Sequence, residues 1–230
     1  MAWRMSAASL DCLDAGRATI YSGWLDEAEK HRWRRITNDH VSNAFLLGRA
    51  LIRERFSELC KCDPSDIHIE IDARGRPRLA GETKLDFNLS HSGSWVILAY
   101  GEGRVGVDIE QVRRRNWEGI ADAWYHPEEL RWLRSDLSLT ERLRQFYRLW
   151  VLKEALVKCL GQGLNRHMLR GTDMGPIVRG ETDQTAGMTF HLCDLLSPAL
   201  PVALCTDRPE DPWPPMLETC VPADPVEPAD

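Results

Sequence analysis

The stretch Val105-Gly106-Val107-Asp108-Ile109-Glu110 decides how this chain is read. Apolar residues 105, 107 and 109 alternate with Gly106, Asp108 and Glu110, which is the period of a strand. Successive strand side chains point to opposite faces, so both carboxylates project from one side, about 7 Å apart. Like charges held that close repel unless something positive sits between them. A third acid stands in Lys153-Glu154, within a helical stretch ending near Lys158. Oxygen ligands of this kind suit Mg²⁺, which takes one or two carboxylates together with substrate phosphates. Taken alone, Asp108 and Glu110 also fit the solvated face of a hairpin. Glu154 and Lys158 also fit an ordinary i,i+4 pair, worth a few tenths of a kcal/mol.

Upstream of the acids, Trp95–Tyr100 is an apolar strand and Gly101-Glu102-Gly103-Arg104 a turn, so residues 94–110 are expected to form a β-hairpin. Phe87-Asn88-Leu89-Ser90-His91-Ser92-Gly93 leads into it, and His68–Ile71 is a shorter strand before the turn Gly75-Arg76-Pro77. Residues 25–59 read as helical. Downstream, His126-Pro127-Glu128-Glu129 opens a helix with proline and acids in its first turn. A longer helix spans roughly 140–160, with Leu149, Leu152, Leu156 and Leu160 on one stripe, and stops at Gly161-Gln162-Gly163. Strands follow at Met188–Leu192 and Val202–Cys205. Helices followed by strands occur in each half, which hints at a duplicated α+β unit without any residue-by-residue repeat.

The chain's 230 residues allow one large domain or two small ones. Of its 35 acids and 29 bases, seven and one fall between Asp207 and Asp230, which leaves 28 of each sign in residues 1–206. A neutral body argues against a nucleic-acid binder. Seven of the thirteen prolines also fall after residue 206, and this acidic segment is expected to be disordered. The seven cysteines are irregularly spaced with no Cys-x-x-Cys, which disfavours a zinc site or disulfide framework. No signal peptide and no run of 18 apolar residues is visible, so a cytoplasmic protein without membrane contact is expected.

Each motif has a bland alternative: His91 as a structural histidine, Ser90 and Ser92 as turn residues, Lys30–Arg35 as a wet helix face. In their order along the chain, however, Gly75-Arg76-Pro77, Phe87–Ser92, Gly106–Glu110, Trp150-Val151-Leu152-Lys153-Glu154-Ala155-Leu156-Val157-Lys158 and Gly161-Gln162-Gly163-Leu164 resemble the surfactin-synthetase-type 4′-phosphopantetheinyl transferases. The Trp-x-x-Lys-Glu-Ala version points to one branch of that family. The likeness is strong over residues 75–164, weaker over 25–59 and absent from the tail.

The resemblance implies an α+β fold of two pseudo-symmetric halves, each a small antiparallel sheet packed with helices, with the active site in the cleft between them. The halves would be residues 1–105, carrying the coenzyme A phosphate and adenine contacts, and 106–206, carrying the metal and catalytic residues. By the same resemblance Asp108, Glu110 and Glu154 would ligate Mg²⁺, with Glu154 and Lys158 catalytic. Ser90, His91, Arg76, Arg49, Arg53, Lys153 and Lys158 would contact coenzyme A; Ala44 stands where some members carry an arginine. Glu128 matches an acid often near the metal and ranks below the other three. The expected reaction moves 4′-phosphopantetheine from coenzyme A to a serine of an apo acyl or peptidyl carrier protein with an acidic surface. Arg113–Arg115 and the polar stretch 111–125 would form the docking face, or else a solvated loop. A monomer is expected. A metal-dependent phosphohydrolase and a non-catalytic coenzyme A-binding protein are the competing readings.

Overall fold

A computed structural model describes residues 2–81, 83–163, 165–195 and 197–208, together with the backbone of 216–220. The chain runs β1 (Arg4–Ser9), α1 (Ala15–Trp24), α2 (Glu27–Arg34), α3 (Asp39–Cys60), β2 (Ile69–Ile71), β3 (Pro77–Leu79), β4 (Leu85–Ser92) and β5 (Trp95–Glu102). It continues through β6 (Val105–Ile109), α4 (Glu118–Trp124), α5 (Pro127–Leu133), α6 (Leu139–Leu160), α7 (Arg166–Gly171) and α8 (Gly175–Val178). β7 (Gln184–Thr185), β8 (Met188–Asp194), β9 (Pro201–Thr206) and β10 (Met216–Cys220) follow. Leu164, at the end of the last family motif, lies outside the described residues. Among the described residues no helix is long and apolar enough to cross a membrane.

Two sheets carry the fold. One has the order β10-β1-β5-β4 and the other β6-β9-β8-β7. β1 pairs antiparallel with β5, and β6 pairs antiparallel with β9, so each half returns its last strand beside its first. The duplication that the sequence only hints at is also plain in the helices. α3 and α6 each have 22 residues, and they begin at Asp39 and Leu139 behind the N-caps Asn38 and Ser138. Each cap oxygen accepts a backbone N–H three residues on, from Val41 and Glu141. Both helices end on a left-handed residue, Lys61 at φ 55° and Gly161 at φ 63°. A buried acid recurs as well. Glu29 and Glu129 both occupy the third position of a short helix, in a capping box, and both meet a base on the long helix.

The expected hairpin over 94–110 does not form. β5 is an inner strand of its sheet, paired with β1 along one side and β4 along the other, so it has no free edge for β6. Its unbroken run Val96–Tyr100 is fully buried, as a strand covered on both faces must be. β6 instead crosses to the second sheet, with Val107 opposite Leu204 and Asp108 opposite Ala203. The helical stretch 25–59 is two helices, interrupted where Asn38 caps α3. Within the segment expected to be disordered, the backbone of Met216–Cys220 adds a parallel strand beside β1; residues 209–215 and 221–230 lie outside the described set.

The alternation in β6 holds. Val105, Val107 and Ile109 join a core between the sheets with Met5, Ala7, Ile97, Ala99 and Val202. Gly106 faces α6, where an added Cβ would stand 2.1 Å from the Ala155 carbonyl oxygen and 2.4 Å from the Cys159 nitrogen. Only glycine allows that approach. It brings the strand bearing Asp108 against the helix bearing Glu154 and Lys158.

Candidate active site

The polar side of the cleft is built from β4, β6 and α6. Asp108 is 5% exposed. Its Oδ1 accepts hydrogen bonds from Ser90 Oγ at 2.7 Å and Lys158 Nζ at 2.6 Å. Lys158 Nζ also donates to Ser90 Oγ and to the Val107 carbonyl, at 2.9 and 3.1 Å. The helical pairing of Lys158 with Glu154 is therefore not the one realised. Asp108 Oδ2 is buried and has no hydrogen-bond partner. Glu110, one residue beyond β6, accepts from Ser92 Oγ at 2.8 Å. The Glu154 carboxylate accepts no hydrogen bond from a described residue.

Burial, followed by repulsion from Asp108, raises the proton affinity of Glu154, against the pull of Lys158. Burial also raises that of Glu110, with Asp108 adding to it and the Ser92 hydrogen bond opposing it. The three acids thus feel one another through a partly desolvated space holding a single lysine. Among the described residues no three His, Cys, Asp or Glu side chains are gathered tightly enough to hold an ion as they stand. The donor chemistry nonetheless fits a hard divalent cation: three carboxylates, one with an orphaned buried oxygen, two destabilised in their charged form.

His91 sits on β4 beside this group with an exposed ring; the surrounding protein, then Lys158 and His40, lower its pKa. His40 itself reaches over to the Gly93 carbonyl, 2.8 Å away. Beside α3, Arg32 and the buried Arg49 lie over the Phe45 ring at 5.5 and 5.2 Å from its centre. Arg32 is exposed and belongs to the basic run that read as a wet helix face.

Other expected contacts are not brought to the acids. Arg53 is 1% exposed and its Nη2 lies 2.5 Å from Glu29 Oε2. Arg49 pairs with the same carboxylate at 3.1 Å. Lys153 is fully buried, 2.9 Å from Glu129 and donating to the carbonyls of Leu169 and Thr172 at 2.8 and 2.9 Å. With all three protons committed, its ammonium has nothing to offer a ligand. Arg76 is also occupied: it donates to the Lys158 carbonyl, to Asp86 at 2.5 Å, and to the carbonyls of Phe87 and Val105 at 3.2 and 2.8 Å. It clamps the two halves together. Glu128 is exposed on α5 and bonded to Arg131, while its neighbour Glu129 is the buried acid. A cavity of about 670 Å³ opens at the Asp86 end of this clamp, with Arg74, Arg78, Lys84 and Arg104 on its walls.

Residues 104–196 match the family profile of the 4′-phosphopantetheinyl transferase superfamily, and residues 18–102 match that of the 4′-phosphopantetheinyl transferase N-terminal region. Among curated proteins, the chain is 32% identical to a phosphopantetheinyl transferase of Thraustochytrium sp., over 74% of this chain and 64% of that one. It is 31% identical to the 4′-phosphopantetheinyl transferase Sfp of Bacillus subtilis, over 63% of this chain and 64% of the relative. To the 4′-phosphopantetheinyl transferase AcpT of Escherichia coli O157:H7 it is 35% identical, over 72% and 75%. The matches to the first two span less than two thirds of those relatives' length. Both halves of the fold, the order of the motifs and these likenesses agree: the chain belongs to the 4′-phosphopantetheinyl transferase superfamily.

Proposed function

We propose that this protein transfers the 4′-phosphopantetheine group of coenzyme A to a serine of an apo carrier protein, using Mg²⁺ held by Asp108, Glu110 and Glu154. The observation that carries the proposal is the meeting of those three acids with Lys158 where β6 touches α6. When bound, Mg²⁺ offsets the diphosphate charge and polarises the phosphorus.

The chain's own groups supply the rest. The carrier serine oxygen forms a bond to the β-phosphorus of coenzyme A as the bond from that phosphorus to the bridging oxygen breaks. Holo-carrier and adenosine 3′,5′-bisphosphate leave. Glu154, whose proton affinity burial and Asp108 have raised, takes the serine proton. Lys158 stabilises the charge left on the departing phosphate, with Ser90 and His91 holding the phosphates alongside. The exposed Arg32, over the Phe45 ring, is the free positive group for the 3′-phosphate; Arg49, over the same ring, and Arg53 both pair with Glu29. The site is assembled within one chain, so a monomer suffices, and the free thiols of the described cysteines agree with a reducing cytoplasm. Arg113–Arg115, exposed just beyond Glu110, are the docking charges for an acidic carrier.

The test is the mass of an apo carrier after incubation with coenzyme A and Mg²⁺. A phosphopantetheine-sized gain is expected, lost by a factor on the order of 10² to 10⁴ in Glu154→Gln and equally absent in Asp108→Ala. Consumption of coenzyme A with an unmodified carrier would overturn the proposal.

A further inference from the structure

The two sheets do not join edge to edge, although β4 and β6 lie side by side. Side chains do the joining. Alternate residues of β4 face the open edge of β6; two of them satisfy its backbone and a third that of Gln111, two residues beyond it. Asp86 Oδ2 accepts from the Val105 nitrogen at 3.2 Å, Asn88 Oδ1 from Val107 at 2.9 Å, and Ser92 Oγ from Gln111 at 2.9 Å. The spacing is constant, each acceptor lying 19 residues before its donor. This seam replaces a ladder of backbone hydrogen bonds and blunts an edge that would otherwise be unpaired. It also places Ser90 opposite Asp108 and Ser92 opposite Glu110.

Ser92 holds both kinds of bond at once. A hydroxyl has one proton and two acceptor positions. Because Ser92 Oγ receives the Gln111 N–H, its own proton is directed to Glu110 Oε2, 2.8 Å away. The backbone bond orients the hydroxyl, and the hydroxyl orients the carboxylate. Glu110 lies one residue past the end of β6, its backbone N–H donating to the Pro201 carbonyl at 3.2 Å, so the backbone is held by β9 and the carboxylate by Ser92.

We propose that Ser92 is a positioning residue that sets Glu110 as a metal ligand, with Asn88 holding the register of β6 on which that setting depends. The inference rests on the Mg²⁺ site proposed above. Outer partners of metal ligands of this kind change affinity by about 10- to 100-fold when removed.

The experiment compares wild type, Ser92→Ala and Ser92→Thr by calorimetric titration with Mg²⁺ and by the Mg²⁺ dependence of carrier modification. The expected result is a Mg²⁺ affinity weakened about tenfold or more in Ser92→Ala, with the rate recovering at saturating Mg²⁺. Ser92→Thr, which keeps the hydroxyl, restores the wild-type requirement. Should Ser92→Ala not fold, Ser92→Cys, a weaker donor of similar size, carries the same comparison. Unchanged Mg²⁺ affinity in Ser92→Ala, or a lost rate that saturating Mg²⁺ does not restore, overturns the inference while leaving the transferase reading standing. A wild type that neither binds Mg²⁺ nor modifies a carrier overturns both.

Discussion

Glu154 shows at the scale of one residue how the site works against the fold. Its folded proton affinity is raised above the ordinary glutamate value of 4.5, so the folded chain holds its proton more tightly than the unfolded one. The contribution of Glu154 to stability is therefore fullest at acid pH and falls as pH rises from about that value through the higher folded pKa. Glu154→Gln removes the penalty. In metal-free buffer at pH 7.5 the variant should be more stable, by on the order of 0.5 kcal/mol once solvent screening is discounted, as read from urea unfolding. The advantage should shrink toward pH 4.5 and activity should be lost. Lys153 and Glu129 behave differently. Burial pushes the lysine pKa down and the glutamate pKa up, while each partly restores the other. Breaking the pair with Lys153→Ala strands a buried carboxylate and should cost about 3–5 kcal/mol. The double change Glu129→Gln, Lys153→Met should recover part of that loss, which a double-mutant cycle of unfolding free energies measures.

At the scale of elements, the contact between β6 and α6 is the critical one. Gly106→Ala would drive a methyl into the backbone of α6 at Ala155 and Cys159, which no side-chain rotation relieves. The strand and helix must part, at a cost of about 1–3 kcal/mol or more. A lowered unfolding midpoint together with a weaker Mg²⁺ response is expected, because Asp108 and Glu154 ride on the two displaced elements. A variant with wild-type values for both would show the contact to be looser than described. α6 was legible in the sequence because its leucine stripe and Gly161 stop are local signals. β4 was not: Leu85–Ser92 carries Asp86, Asn88, Ser90 and Ser92 on one face, which reads as a loop until β6 supplies their partners.

At the scale of the whole molecule, the two halves repeat one plan. The acid–base pair of the first, Glu29 with Arg49 and Arg53, and that of the second, Glu129 with Lys153, brace equivalent long helices. The proposed site lies on the face where β6 meets its foreign neighbour β4. Docking belongs to this scale too. Arg113→Glu, Arg114→Glu and Arg115→Glu together should raise KM for an acidic carrier about tenfold or more at low salt with kcat little changed, and the effect should fade as ionic strength increases. Steady-state kinetics in two salt concentrations, with the carrier varied, would check this. An unchanged KM would assign those arginines to solvent alone.

The residues of the proposed metal site, the alternation that puts Asp108 and Glu110 on one side, and the helix that carries Glu154 and Lys158 were all legible in the sequence itself. Periodicity and capping act over a few residues, so the sequence displays them directly. Which strand β6 pairs with was decided only by tertiary structure, since β5 has both edges filled and the vacant edge belongs to β9, far along the chain. The fate of the cations was decided there as well. Among 29 lysines and arginines, local pattern does not tell which guanidinium meets a buried carboxylate. Arg53 and Lys153 are neutralised within the core, Arg76 ties the halves together, and Lys158 alone of the expected lysine and arginine contacts reaches the acids, because packing, not charge, chose their partners.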